Sequence, residues 1–206
     1  GTKDRSWGVR GVGEGDKGGA PNVPRGICFV WAPLFWDDHI SHAIFFDAAD
    51  GSPLVREGLE APLYKNEADI PGIEDGLVDR KLTARHRIEY HPGTRLAKAA
   101  EIDLVNLDDG VRTIKLEPKL KFMMKGLGYM HPEWNQGTWK GELATGHESF
   151  DPRQLDHLAP ENIHVQQVVK ATDGVREGVG VLEQVVIGPY APGGFTGFID
   201  GALEKG

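Results

Sequence analysis

The chain has 206 residues, 39% of them apolar, which suffices for one full core and stands at the upper end of what a single all-β domain needs. Its net charge of −8, with no basic stripe, excludes nucleic acid as a partner. The 28 glycines and 13 prolines fall between apolar runs rather than in one tract, which points to many turns and excludes a mostly helical chain.

In chain order, a strand is expected at about 3–10, followed by a flexible loop at 11–25. Within that loop, GEGDKG at 13–18 has the glycine spacing of a dinucleotide site. Prolines 21 and 24 follow where a helix would have to open, so it reads as a linker. The run ICFVWAPLFW has ten residues, too few to span a bilayer, and reads as a buried strand at 27–36 with Trp31 and Trp36 on opposite faces. Its Cys28 is the sole cysteine, which excludes an intrachain disulfide and a multi-cysteine zinc site. A reducing, cytoplasmic compartment fits best; the abrupt start at GTKDRSWG leaves room for a removed leader. Asp37, Asp38 and His39 form a turn into a strand at 39–47. There the odd separation of His39 and His42 sends them to opposite faces, so they share no metal.

Strands at 53–57 and 61–65 and an acidic loop at 66–76 lead into a meander from Leu77 to Met124. Three-residue loops at 91–93 and 108–110 set Ile88 opposite Leu96, Ala84 opposite Ala100, Leu82 opposite Ile102, Leu104 opposite Ile114 and Ile102 opposite Leu116, giving one apolar face. Parity places Arg80, His86 and Lys98 on that face. Either they sit near strand ends and reach water, or they line a barrel cavity.

Tyr129, His131, Trp134 and Trp139 crowd a glycine- and proline-rich stretch, which suits a core corner or the mouth of an apolar pocket. A strand at 138–149 puts His147 on the face of Trp139 and Leu143, and DPRQLDHL at 151–158 carries the signals of one short helix. Strands at 163–172 and 175–187 flank Asp173-Gly174. A two-residue turn there sets Lys170 opposite Glu177, Val168 opposite Val179, Gln166 opposite Val181 and His164 opposite Glu183. This face is either solvated or part of a pocket; in a pocket the His164–Glu183 pair, with Gln166 beside it, is a proton donor or acceptor. The sum is an all-β fold, an antiparallel barrel or curved sandwich of about eight to ten strands with one short helix.

Three stretches carry a resemblance: KDRSWG at 3–8, GLGYMHPEWNQGTWKGEL at 126–143 and GVLEQVVIGPYAPGGFTGFIDGALE at 180–204. They resemble a bacterial, largely uncharacterised branch of the superfamily that holds carotenoid hydratase (hydroxyneurosporene synthase) and the tocopherol-cyclase-like proteins. The resemblance implies a lipocalin-like β-domain, the C-terminal one of two. It also implies a lipophilic polyene or isoprenoid ligand and, for the hydratase members, proton-initiated addition of water to a double bond without a cofactor. Asp4 and Trp7 match the first motif, but Arg5 stands where the hydratases have histidine, and arginine donates no proton near neutral pH. Phe35 and Asp37 match a later motif loosely.

A lipophilic molecule bound in a barrel cavity is the function expected, with hydratase, cyclase or isomerase chemistry as an open arm and a non-catalytic scaffold or interaction domain as the rival. The catalytic acid is expected among Asp4, Asp37 and Glu183, partnered by His164; ligand contacts are expected at Trp7, Trp31, His86, Tyr129, Trp134 and Gln166. The apolar tail at 188–201 is expected to pack on the N-terminal β-domain or on a second copy.

Overall fold

The structure, a computed structural model, describes residues 26–72, 77–108, 110–128, 131–134 and 139–204. The expected strand at 3–10, the loop at 11–25 and the candidates Asp4, Trp7 and Tyr129 lie outside the described residues. Nine strands are described: β1 (Ile27–Phe35), β2 (His39–Ala48), β3 (Pro53–Pro62), β4 (Asp79–Arg80), β5 (Thr83–Tyr90), β6 (Ala97–Val105), β7 (Val111–Met123), β8 (Val165–Thr172) and β9 (Glu177–Ile187). They form one antiparallel sheet in the order β4-β3-β2-β1-β9-β8-β7-β6-β5, curled into a half-barrel. Among the described residues no helix is long and apolar enough to cross a membrane.

Alternation decides which face turns inward. Cys28, Val30, Ala32 and Leu34 of β1 meet Phe45 of β2, Ala100, Ile102 and Leu104 of β6, Ile114 and Leu116 of β7, and Leu182 and Val186 of β9 in one core. Gly178 and Gly180, also inward on β9, let β1 press close: a Cβ on Gly180 would lie 2.2 Å from Pro33 O.

The two edges of the sheet meet at one end. Lys81 N–H donates to Gly58 O of β3 (2.9 Å), and Leu82 N–H donates to Val105 O of β6 (2.8 Å). A polar cluster braces this end. Arg112 of β7 pairs with Glu60 of β3 and donates through Nε to Asp173 (3.0 Å), while its guanidinium lies 4.4 Å from the Trp36 ring centroid. Lys81 Nζ reaches Glu60 at 2.8 Å, and Ser41 donates to it at 3.0 Å. At the other end of β2, buried Asp47 accepts from His86 Nε2 of β5 (2.8 Å), from Tyr190 OH (3.1 Å) and from Arg56 (3.3 Å).

Most faces came out as expected, Lys98 and exposed Leu82 apart; partners did not. Val168 lies opposite Val181 and Gln166 opposite Glu183, because residues 173–176 all serve as the loop. Asp173 draws the chain into that wider turn by accepting from Val175 and Arg176 N–H. In the meander Ala84 lies opposite Leu104, Ile88 opposite Ala100 and Ile102 opposite Ile114. Residues 53–62 are one strand rather than two. The helix expected at 151–158 is a single 3-10 turn, Pro152–Gln154, capped by Asp151. No strand forms in the described part of 138–149, and Trp139 and Leu143 stay 79% and 87% exposed.

The tail docks on its own half-barrel. Arg95 is buried and donates to Asp200 O (2.7 Å), Val186 O (3.1 Å), Gly188 O (2.8 Å), Gly197 O (3.1 Å) and Asp200 Oδ1 (2.7 Å), with its guanidinium over Phe195. Tyr190 and Phe195 thereby enter the core. Arg95→Met leaves these acceptors unpartnered; it should cost about 3 kcal/mol in urea unfolding and open residues 188–204 to limited proteolysis.

Burial alone would raise the Asp47 carboxyl, but the bonds and charges of His86, Tyr190 and Arg56 outweigh it and hold Asp47 below the ordinary carboxylate range. Burial acts on Glu60 in the same way and is outweighed by Lys81, Ser41 and Arg112. A depressed folded-state pKa stabilises above the ordinary carboxylate pKa, and the contribution fades as pH falls through the lowered value. Urea midpoints from neutral to about pH 2 should therefore fall steeply below about pH 4 in the wild type. Asp47→Asn and Glu60→Gln should each start lower, by about 3 kcal/mol, and decline less steeply.

Candidate functional site

The inward face is filled, and the residues of interest gather on the outer face. Outward positions of neighbouring strands line up in register: Phe122 opposite Gln166, Gln166 opposite Glu183, Glu183 opposite Trp31, and Trp31 opposite Ile44. One row thus crosses β7, β8, β9, β1 and β2. Around its middle lies a concavity of ≈ 700 Å³, lined by Ile27, Phe29, Trp31, His42, Ile44, Phe46, His164, Glu183, Val185 and Ile187. That volume is within the range of about 300–1,000 Å³ usual for small-molecule sites.

Its polar groups are bonded to one another. His164 Nε2 donates to Glu183 Oε1 (2.7 Å) and Gln166 Nε2 donates to Glu183 Oε2 (2.8 Å), so both carboxylate oxygens are held. The side chains of His164 and Glu183 are only 10% and 13% exposed. Trp31 Nε1 donates to His42 Nε2. An indole nitrogen only donates, so His42 Nε2 carries no proton and its imidazole is neutral. Phe29 and Phe46 pack with ring centroids 4.8 Å apart and supply the apolar wall.

Trp31, Gln166, Glu183 and His164 are therefore brought together. Trp134 lines an adjoining depression of ≈ 310 Å³ that shares Phe122 with the row, its ring packed over Gly146. His86 is elsewhere: it points inward, its side chain 5% exposed, against Phe45 and Asp47, where it is a core strut rather than a cavity lining. Its expected companion Lys98 turns outward, because the ladder shifts register between Glu89 and Tyr90. Asp37 is exposed at the turn after β1, beyond Phe35 and its partner Val179, apart from the row. His39 stacks on Trp36 while His42 bonds Trp31, as their odd spacing requires. Among the described residues no group of three or more His, Cys, Asp or Glu side chains is placed to hold a metal ion. Burial pushes the Cys28 thiol up to about 12, so it offers no thiolate.

Sequence reasoning missed His42, Phe29, Phe46 and Val185 as lining residues. The signal was present: a strand exposed on one face should alternate, whereas β1 reads ICFVWAPLF, apolar on both.

Replacing Glu183 by Leu strands the His164 and Gln166 donors and should cost about 1–3 kcal/mol, whereas Glu183→Gln keeps an acceptor and should cost under about 1 kcal/mol. Urea unfolding of the two variants separates these outcomes.

No curated protein and no solved structure matches the chain. A family model matches residues 1–196, and the chain therefore belongs to the family described as "Family of unknown function (DUF8625)".

Proposed function

We propose that this protein binds a lipophilic small molecule, of the isoprenoid or polyene kind that its resemblance to the carotenoid-hydratase and tocopherol-cyclase-like superfamily implies, in the concavity on the outer face of β1, β2 and β9. The observation that carries this reading is the Glu183 carboxylate. It is almost buried and held at both oxygens by His164 and Gln166, amid Phe29, Trp31, Ile44, Phe46, Val185 and Ile187. An isolated apolar hollow would need no such group; a site that orients a ligand does. His164 and Glu183 also form a pair able to give and take a proton, which keeps cofactor-free hydration, cyclisation or isomerisation of an alkene as the catalytic arm.

The rival reading, an interaction domain, is favoured by one observation: the same face continues beyond the concavity through exposed Leu120, Phe122, Val168 and Val179. Its cover would be a second β-domain of the same protein or a second copy.

An environment-sensitive apolar fluorophore should bind the wild type and lose about tenfold in affinity in Val185→Arg, which sets an unpaired charge in the hollow. Incubation with a panel of isoprenoid alkenes, read by mass spectrometry, tests the catalytic arm: a gain of one water, or an isomer at constant mass, that disappears in Glu183→Gln supports it. No fluorophore binding, together with a concentration-dependent dimer in sedimentation, would favour the interaction domain.

A further inference from the structure

The polarity of the concavity is one-sided, and this restricts what its occupant can present. Along β1 and β9 the facing pairs run Trp31–Glu183, then Phe29–Val185, then Ile27–Ile187. The polar groups thus stand at one end of a hollow whose other end is apolar. Four residues of strand separate the two ends, ~13 Å at the usual rise. Among the described residues no lysine or arginine lines it.

At the polar end one N–H of each donor is turned onto the site's own acceptors; the Nδ1 on which neutral His42 keeps its proton is a buried atom, and Gln166 with its second N–H stands outside the lining. Trp31 N–H goes to His42, His164 Nε2–H to one Glu183 oxygen, and a Gln166 N–H to the other. A carboxylate oxygen has two acceptor positions, so each Glu183 oxygen, having taken one hydrogen bond, keeps capacity for another. The Gln166 amide, fixed with its nitrogen toward Glu183, directs its carbonyl oxygen away from it. What this end offers a ligand is acceptors and negative charge.

We infer that the occupant is an apolar chain ending in a hydroxyl, which donates to Glu183, and that the site rejects chains ending in carboxylate or phosphate. This rests on the reading of the concavity as a small-molecule site. An anionic head would lie against Glu183 with no cation to offset it. An ammonium head would have to be stripped of water among Trp31, Phe29 and Val185, beside a carboxylate whose charge is already shared with two donors. A hydroxyl needs only the spare acceptor.

The test is displacement of the apolar fluorophore from the full chain by decanol, decanoate and decylamine, in the wild type, Glu183→Gln and Val185→Arg. Decanol should compete at a concentration about tenfold below that of decanoate in the wild type, the factor set by one unfavourable charge contact. Glu183→Gln, which removes the charge and keeps an acceptor, should bring decanoate close to decanol. Val185→Arg should turn the preference toward decanoate. Equal competition by decanol and decanoate in the wild type, or stronger competition by decylamine than by decanol, overturns the inference while leaving the small-molecule site standing. Failure of the fluorophore to bind at all overturns the site itself, and the inference with it.

Discussion

A curled sheet stays curled only while its two wings are held across the core, and here two carboxylates on the β2–β3 wing, one buried and one half-buried, hold them. Asp47 grips His86 of β5, and Glu60 grips Arg112 of β7. Both lie on inward positions where alternation otherwise puts valine, leucine or phenylalanine, and both are surrounded by enough donors to remain charged. Between these struts the space is narrow. A Cβ on Gly58 would lie 2.9 Å from Leu104 Cδ2, so the wings touch at van der Waals distance. Strands drawn this close leave no room for a guest between them.

The filled interior explains why the chemistry-bearing side chains gather outside. A barrel of this kind can host a ligand within or present it on a wall, and here Phe45, Leu34, Ile102, Leu104, Ile114 and Leu182, all buried, pack the inside. The outer row gains from this arrangement. Glu183 is flanked in sequence by Leu182 and Gln184, both fully buried and pointing the other way. Gln184 clamps the backbone of β6 through Ala97 N–H and Arg95 O. A carboxylate mounted between two such anchors cannot drift, and central strands position groups more tightly than loops do.

Much of this was legible in the sequence, and the division between what was and what was not has a physical cause. Which side chains share a face depends only on parity, and it survived because the loops formed at 106–110 and 173–176 are each two residues longer than expected, while the three extra residues at 91–96 are made even by the bulge between Glu89 and Tyr90. Val168 opposite Val181, instead of Val179, still faces outward. Register itself depends on where a turn closes, and Asp173 settled that by capturing two backbone N–H groups that sequence spacing does not reveal. The hairpin's polar trio could be read together for the same reason: His164, Gln166 and Glu183 share a face in either register. The opposing wall of Phe29, Phe46 and His42 lies more than a hundred residues earlier in the chain, beyond the reach of any local turn argument. Likewise, Arg95 gives no sign in the sequence that it is buried.

That arginine bears on how the chain comes to fold. Its partners lie 91 to 105 residues away along the chain, in a segment made later. The β2–β7 strands can pair as they emerge, but the guanidinium, and with it the end of the half-barrel around Tyr190 and Phe195, lacks its partners until residues 186–200 arrive. Contacts this distant in sequence close slowly, because the loop entropy of the intervening chain must be overcome first. The capture of Arg95 is thus a late, largely all-or-none event that separates a nearly complete sheet from a finished protein, and a nascent chain halted short of Asp200 carries an unfinished end.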